Sequence, residues 1–218
     1  MPDRDLRSPV STSRVLHAVA SRECVPYEFL LMCSVARRPT AAEIAAARGK
    51  TIPDLIAPGL SILFCGINPG LYSAAVGRHF ARPGNRFWTT LHRSGITARV
   101  LLPTQSAALL ESKCGITDLV ARSTAKAEEL SREELVDGQR HLVAKVKRYK
   151  PRCLAILGIS AYRTAFQKPA ALIGEQPERI GTTAVWVLPN PSGLNAHYPP
   201  LKLVEEFRRL RDSYALRG

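Results

Sequence analysis

One side-chain amide stands out in a loop that is otherwise rich in glycine and proline. Asn68 lies within the pentapeptide GINPG, residues 66–70, directly after the apolar run 61–65. An amide both donates and accepts hydrogen bonds, so it can orient a water molecule, but it can also do no more than stabilise its own turn. The pentapeptide has neither the GxGxxG nor the GxxxxGK[ST] spacing, which argues against a dinucleotide site.

The elements around this loop predict how it is positioned. Apolar segments at 61–65, 153–160 and 184–189 are typical of buried strands, and stretches with helical periodicity lie between them. Alternating strands and helices predict an α/β fold, a three-layer sandwich in which a central, mainly parallel sheet has helices on both faces. The loops 66–84 and 189–200 both follow strands, so we expect them to form two walls of one cleft.

Capping residues mark where several helices begin. Thr40 with Glu43, and Ser131 with Glu134, have the spacing of a capping box, in which each side chain bonds the other residue's backbone N–H. Asn85 precedes the segment RFWTTLHRS and is a candidate cap for a helix there. These signals predict helices that flank the strands and fix where each loop ends.

The charge balance points to a class of partner. The chain has 31 Lys and Arg against 18 Asp and Glu, a net charge of +13. Such a charge attracts polyanions, nucleic acid above all, although it can also serve solubility alone. The apolar runs are too short to cross a bilayer and the N-terminus lacks the features of a signal peptide, so we expect a cytoplasmic protein that associates with the nucleoid through DNA.

The chain is predicted to be one domain with an N-terminal extension. Residues 1–38 show no clean periodicity and are expected to be loosely ordered, whereas residues 39–218 are long enough for a single core. The five cysteines form no CxxC pair and predict neither a disulfide framework nor a metal site. We expect them to be small buried side chains, and we expect no metal or other cofactor.

Three motifs in order resemble one known family. GINPG, then HFARPGNRFW, then LPNPSGL look like the mismatch-specific uracil-DNA glycosylase and thymine-DNA glycosylase family, within the uracil-DNA glycosylase superfamily. The similarity runs from about Ser61 to the C-terminus. It implies a monofunctional hydrolase that flips and excises uracil, thymine or a damaged pyrimidine such as ethenocytosine from mismatched double-stranded DNA, such as a G/U pair, and so begins base excision repair. We expect a monomer.

The resemblance also implies which residues are catalytic. Asn68 would position the attacking water, but a neutral amide is a poor proton acceptor. Asp118, in GITDLV, stands at a position that varies in the family and is Lys in a familiar bacterial member. Its carboxylate could act as general base and stabilise an oxocarbenium-like sugar. The alternative for Asp118 is a helix N-cap.

A pocket for the flipped base is implied by five residues. Phe80 would stack on the base, and Ile67 and Phe80 would offer backbone groups to the base edge. Gly70 stands where strictly uracil-specific relatives carry a bulky Tyr, which predicts a wider pocket. Ser73 is near enough in sequence to line this pocket, and Asn190 would lie at its other wall.

The second loop is expected to meet the duplex. Leu194 matches the family's wedge, an apolar side chain that fills the space the base has left. Gly193 would let the backbone approach the orphaned base. Ala196 stands where the best-known bacterial pattern has Arg, so reading of the opposite guanine is left open between His197 and Asn195.

Other polar groups are candidates for the DNA backbone. Ser192 is expected at the pocket or on a flanking phosphate, and Arg82 and Arg86 flank the first loop as phosphate ligands. The basic cluster 208–211 is expected on the solvated face of a final amphipathic helix, residues 201–216. Two further functions remain open, a catalytically weak module that senses mismatches and a nucleotide-binding α/β protein that acts on small molecules.

Overall fold

The computed structural model describes residues 37–214. Among these residues the α-helices are α1 (Ala41–Ala45), α2 (Leu71–Val76), α3 (Phe87–Arg93), α4 (Arg132–Tyr149), α5 (Ile159–Ala165) and α6 (Pro200–Tyr214). The strands are β1 (Ile62–Gly66), β2 (Cys114–Asp118), β3 (Cys153–Leu157), β4 (Gly174–Ile180) and β5 (Thr183–Leu188). Two 3₁₀ helices, Pro103–Ser112 and Ala127–Glu129, complete the regular structure of this part. The predicted extension, with Cys24 and Cys33, lies almost entirely outside it.

The five strands form one sheet in the order β2-β1-β3-β5-β4. All neighbouring strands are parallel except β4, which runs antiparallel to β5 at the edge. In the register of β1 and β2, Gly66 lies beside Asp118, so both strands end at the same level. The carboxyl ends of four parallel strands therefore meet at one edge, where ligands of such sheets bind.

Helices cover both faces of the sheet, as predicted. Along β1 the side chains alternate, with Ile62 and Phe64 in the core under α3 and α6, and Leu63 and Cys65 in the core under α4 and α5. Because every residue of β1 is buried, the strand is apolar on both faces rather than on one. The three-layer α/β prediction is confirmed.

The predicted caps are present and set the helix boundaries. Both capping boxes form, at the start of α1 and of α4. Asn85 lies one residue before the position assigned as the cap of α3, and its Oδ1 accepts the first helical N–H, that of Phe87, at 2.9 Å. Each cap satisfies a donor that the helix itself leaves unpaired, a contribution of about 1 kcal/mol.

Two elements differ from what the sequence indicates. The segment QSAALLESKCG, residues 105–115, is predicted from its sequence to be a short helix, but it forms part of a 3₁₀ helix that ends at Ser112, and β2 begins at Cys114. The edge strand β4 carries alternating polar residues and an internal Pro177, a composition that does not indicate a strand. An edge strand tolerates proline because one side of its backbone needs no partner strand.

The three cysteines within residues 37–214 are buried, as predicted. Cys65, Cys114 and Cys153 are free thiols in the core, where burial raises the pKa of Cys114 to about 12. No helix among residues 37–214 is both long enough and apolar enough to span a membrane.

Candidate active site

A cleft opens where the carboxyl ends of β1, β2, β3 and β5 meet. Its volume is about 140 Å³, close to the roughly 150 Å³ of a cavity that holds one benzene ring. The residues that line it are Gly66, Ile67, Asn68, Pro69, Gly70, Ser73, His79, Phe80, Arg82, Asn85, Asp118, Thr124, Ala125, Ala127, Leu157, Asn190 and Ser192. Both predicted loops thus form walls of one cleft of the size of a single aromatic ring.

The cleft brings together most of the predicted site residues but not all of them. Both predicted catalytic residues and all five predicted pocket residues line it, as do Arg82 and Ser192. Five predicted residues lie outside the lining: Arg86, Gly193, Leu194, Asn195 and His197. Of the residues predicted for the wedge and the opposite strand, Ser192 thus lines the cleft and the other four do not.

Asn68 is held in place through the nitrogen of its side-chain amide. Its Nδ2 donates to the backbone oxygen of Arg122 at 3.0 Å and to Oγ1 of Thr124 at 2.7 Å. These partners lie 54 and 56 residues away in sequence, so the amide ties two loops together rather than closing its own turn. Within the described part, Oδ1 has no hydrogen bond, which leaves an acceptor in the cleft for a water O–H.

The segment that orients Asn68 is itself anchored to α4. The guanidinium of Arg122 forms an ion pair with Glu134, which also belongs to the capping box of that helix. The Arg122 hydrogen bond lowers the pKa of Glu134 to about 2, so this anchor persists at any pH above strong acid. Thr124 completes the arrangement, since its hydroxyl donates to the backbone oxygen of Lys126 at 2.7 Å.

Asp118 ends β2 with its carboxylate turned into the cleft. A Cβ added to Gly66 would lie 2.3 Å from Oδ1 of Asp118, so the first glycine of GINPG is the residue that makes room for this carboxylate. The side chain is only 7% exposed. No helix begins after it, because the next helical residues are Ala127–Glu129 and Lys126 precedes them. The alternative that Asp118 caps a helix is therefore wrong.

A histidine that the sequence did not single out lies against this carboxylate. His79 places Nδ1 3.3 Å from Oδ2 of Asp118, and Nε2 3.0 Å from the backbone oxygen of Pro53. Burial alone would lower the pKa of His79, but the hydrogen bond to Asp118, the charge of that carboxylate and the Pro53 carbonyl together raise the pKa above its ordinary value. His79 is the first residue of the HFARPGNRFW motif, which was the signal available in the sequence, but its contact with Asp118 comes from the fold.

Phe80 adopts a backbone conformation that residues other than glycine rarely take. Its φ is +53°, in the left-handed region, which is costly for a bulky residue. Three neighbours brace it: the Phe87 ring stacks on Phe80 with centroids 4.1 Å apart, Oγ of Ser73 accepts the Ala81 N–H, and Nε1 of Trp88 donates to the His79 carbonyl. The Phe80 ring packs against the core through Phe87 while the residue lines the cleft, so its packing in the core is shown and its stacking on a base stays a prediction.

Gly70 begins α2 with open space beside it. A Cβ added there would meet nothing within 4 Å, and the backbone is not in a conformation that requires glycine. The position therefore leaves room in the cleft that a larger residue could take. Ser73, one turn on, is buried and uses its hydroxyl to brace the loop at Ala81.

Arg86 organises the second loop instead of facing solvent. Its guanidinium donates to four backbone oxygens of that loop: Pro191 at 3.4 Å, Ser192 at 2.6 Å, Asn195 at 3.2 Å and Tyr198 at 2.7 Å. The planar fork of Arg suits such a set of carbonyls. These bonds occupy the group that the sequence assigned to a phosphate, whereas Arg82 is exposed at the rim of the cleft.

The second loop also stabilises itself and leaves one leucine uncovered. Oδ1 of Asn190 accepts the Ser192 N–H at 2.9 Å, and Nδ2 of Asn195 donates to the Asn190 carbonyl at 3.0 Å. A Cβ on Gly193 would lie 2.5 Å from the Gly84 oxygen, so that glycine permits close contact between the two loops. Leu194 beside it is 77% exposed.

The hydrogen bond of Asn195 bears on the predicted contact of this residue with the opposite DNA strand. One N–H of the Asn195 amide is used by the loop, in the bond to the Asn190 carbonyl, whereas His197 is exposed.

The basic cluster on α6 is engaged within the chain. Arg208 and Arg211 donate to the carbonyls of Arg93 and Ser94, and Arg209 pairs with Glu206. These contacts match the expectation of a helix face rather than a DNA ligand. Within residues 37–214, no three His, Cys, Asp or Glu side chains come together as a metal-binding group.

Two comparisons with known proteins agree with this arrangement. A family model described as the uracil DNA glycosylase superfamily matches residues 53–211. A solution NMR structure from Methanosarcina acetivorans, provisionally described as a uracil DNA glycosylase, is similar with a TM-score of 0.51 and 19% identity. The match covers 75% of this chain and 98% of that one. At this identity the second likeness supports the fold only.

Proposed function

The chain belongs to the uracil DNA glycosylase superfamily, and on that basis we propose that it is a monofunctional DNA glycosylase acting on mismatched double-stranded DNA. The observation that carries the proposal is the shared cleft, in which the free amide oxygen of Asn68, the Asp118 carboxylate and the Phe80 ring line a space for one aromatic ring. A base reaches such a space only by leaving the duplex stack, which costs a few kcal/mol.

The proposed binding step supplies part of that cost. The flipped base stacks on Phe80, an interaction of about 1–3 kcal/mol. Because Phe87 and Ser73 brace the 80–81 backbone, the ring is in place before the base arrives and little ordering is needed. Leu194 enters the space that the base has left, as an exposed apolar wedge.

The proposed chemical step is hydrolysis by one water molecule. A water hydrogen donates to Oδ1 of Asn68, which directs the water oxygen toward the sugar. As the bond between the base and C1′ of the sugar breaks, its electron pair leaves with the base, and the developing cation at C1′ is stabilised by the Asp118 carboxylate. The water oxygen then bonds to C1′ and passes a proton to Asp118. The base leaves as its anion and takes up a proton from solvent, and Asp118 returns its proton to solvent, so the products are free base and an abasic site.

The proposed specificity follows from the open space at Gly70. No side chain fills that side of the cleft, so a 5-methyl group or an etheno ring can be accommodated. We therefore expect activity on uracil, and also on thymine or ethenocytosine, with the mismatch favouring the target because an unstable pair flips more readily. We expect the protein to act as a monomer on nucleoid DNA.

A panel of duplexes tests this function. Single-turnover release of free base would be measured from G·U, A·U, G·T and ethenocytosine pairs, with single-stranded uracil as a further substrate. We expect the G·U duplex to be processed fastest and an Asp118→Asn variant to be nearly inactive on it. Tight binding of the G·U duplex without base release would instead identify a mismatch-sensing module, and no binding of any duplex would contradict both.

A further inference from the structure

The His79 ring is placed between two hydrogen-bond acceptors. The Pro53 carbonyl, 3.0 Å from Nε2, can only accept, so Nε2 carries a proton. A carboxylate oxygen of Asp118 lies 3.3 Å from Nδ1. An ionised carboxylate there favours a proton on Nδ1 as well, and with both nitrogens protonated the ring is an imidazolium.

The His79–Asp118 pair is buried. The side chains of His79 and Asp118 are 6% and 7% exposed, so their interaction is screened far less than one at the surface. Among the described residues, the charged or titratable groups near the pair include Arg82, which lines the same cleft, and Asp54, which is bound to Lys145. The thiol of Cys65 also lies near, and its pKa is raised by burial and by Asp118. Asp54 adds to the negative charge around His79 and so favours its protonated form.

We propose that protonated His79 is a positioning residue for Asp118, and that base release requires its proton. This inference rests on the proposed glycosylase function. The imidazolium holds Oδ2, and this fixes Oδ1 over Gly66, where the absence of a Cβ leaves it open to the cleft. A held carboxylate meets the water and the sugar in one orientation, which is the geometry that proton transfer requires.

The predicted pH dependence has a definite sign. The pKa of His79 is raised above its ordinary value, so the ring keeps its second proton to a higher pH than a free histidine does and loses it as the pH rises through that pKa. Because Pro53 retains the proton on Nε2, the lost proton is that of Nδ1, and a lone pair then faces the carboxylate. Two acceptors repel each other, Asp118 is released from its position, and base release falls on the alkaline side.

His79→Asn tests the role of the proton in activity. An amide can still donate toward Asp118 but does not titrate, so we expect base release to fall about 10- to 100-fold and the alkaline decline to disappear. The matched control is His141→Asn, which removes the exposed counterpart, a His–Asp137 pair at 3.4 Å with 77% and 59% exposure. The control should keep the rate and the alkaline decline. An alkaline decline that persists in His79→Asn overturns the inference.

A measurement without substrate separates this inference from the proposed function. NMR titration of the histidine rings should give His79 a pKa above the ordinary value of a histidine in the wild type. In Asp118→Asn, the pKa of His79 should fall, since burial then dominates. A titration unchanged by Asp118→Asn overturns the pairing. A coupled titration in a protein that releases no base would support the pairing and contradict the glycosylase function.

Discussion

The two loops that form the cleft are built in different ways. The first loop, residues 66–84, holds its polar side chains through other elements, since His79 contacts Asp118 of β2 and the Pro53 carbonyl, and the Asn68 nitrogen donates to the Arg122 carbonyl. The second loop, residues 189–200, bonds mostly to itself and depends on the guanidinium of Arg86, while Leu194 stays exposed. Rigid placement suits groups that do chemistry, and an adaptable exposed surface suits contact with a duplex.

This difference predicts two kinds of variant. Changes in the first loop or at Asp118 should slow base release from any DNA, including a uracil in a single-base bulge, which needs no unpairing. Changes in the second loop should slow release from a paired uracil and have little effect on the bulge. The ratio of the rates on bulged and paired uracil therefore shows whether a residue acts in the chemical step or in contact with the duplex.

Asp118→Asn should have the largest effect. The amide keeps the shape of the side chain but is a poor proton acceptor, so we expect a loss of about 10²- to 10⁴-fold on paired and bulged uracil alike. Single-turnover rates on both substrates, with circular dichroism as the check on folding, would measure it. A rate equal to the wild type would make Asp118 a structural residue only.

Asn68→Ala should come next, at about 10- to 100-fold on both substrates. The variant removes the Oδ1 acceptor, but it also breaks the bonds to Arg122 and Thr124. Thr124→Val is the matched control, because it removes one of those bonds and keeps Oδ1. If the control loses as much activity as Asn68→Ala, the amide acts through the loop and not through the water.

Arg86→Lys should reduce release from paired uracil by about tenfold, the cost of losing charge-assisted hydrogen bonds. Lysine keeps the charge but cannot reach four carbonyls. The bulged substrate should be processed at nearly the wild-type rate. If Arg86 bound a phosphate, Lys would substitute for it as a point charge, and activity retained in this variant would support that original prediction. Arg82→Lys serves as the control at the exposed rim.

Leu194→Ala should have the smallest effect, a loss of about fivefold on paired uracil that follows from the removal of about 1 kcal/mol of apolar contact. Binding of free uracil, measured by titration, should be unchanged. Leu172→Ala is the matched control, since Leu172 is 72% exposed and does not line the cleft. Equal losses on paired and bulged substrates would remove the wedge role.

Much of the framework could be predicted because local signals there agree with the tertiary structure. The predicted apolar runs form β1, β3 and β5, and the predicted capping boxes begin α1 and α4. These local patterns have the same structure in the folded protein as their sequence indicates. The order of strands and loops also predicts that the loops 66–84 and 189–200 form the two walls of the cleft.

The parts that could not be predicted depend on distant partners. The polar edge strand β4 pairs through a bulge between Glu175 and Arg179, which no periodicity indicates. His79 gains its significance from Asp118 and Pro53, and Arg86 from carbonyls more than a hundred residues away. A phosphate ligand and a loop organiser look alike in a sequence, because both are an arginine beside a glycine-rich segment.

The close contact between Gly193 and the Gly84 oxygen limits how the two loops can be exchanged between related proteins. Since even a methyl group at 193 would collide with the backbone of the other loop, neither loop can change shape there alone. Arg86 adds a second tie between the same segments, 106 residues apart at Ser192. A chimera that transplants the second loop from a relative without the first should therefore fold with a misplaced wedge, whereas a joint transplant of both should carry its duplex preference with it.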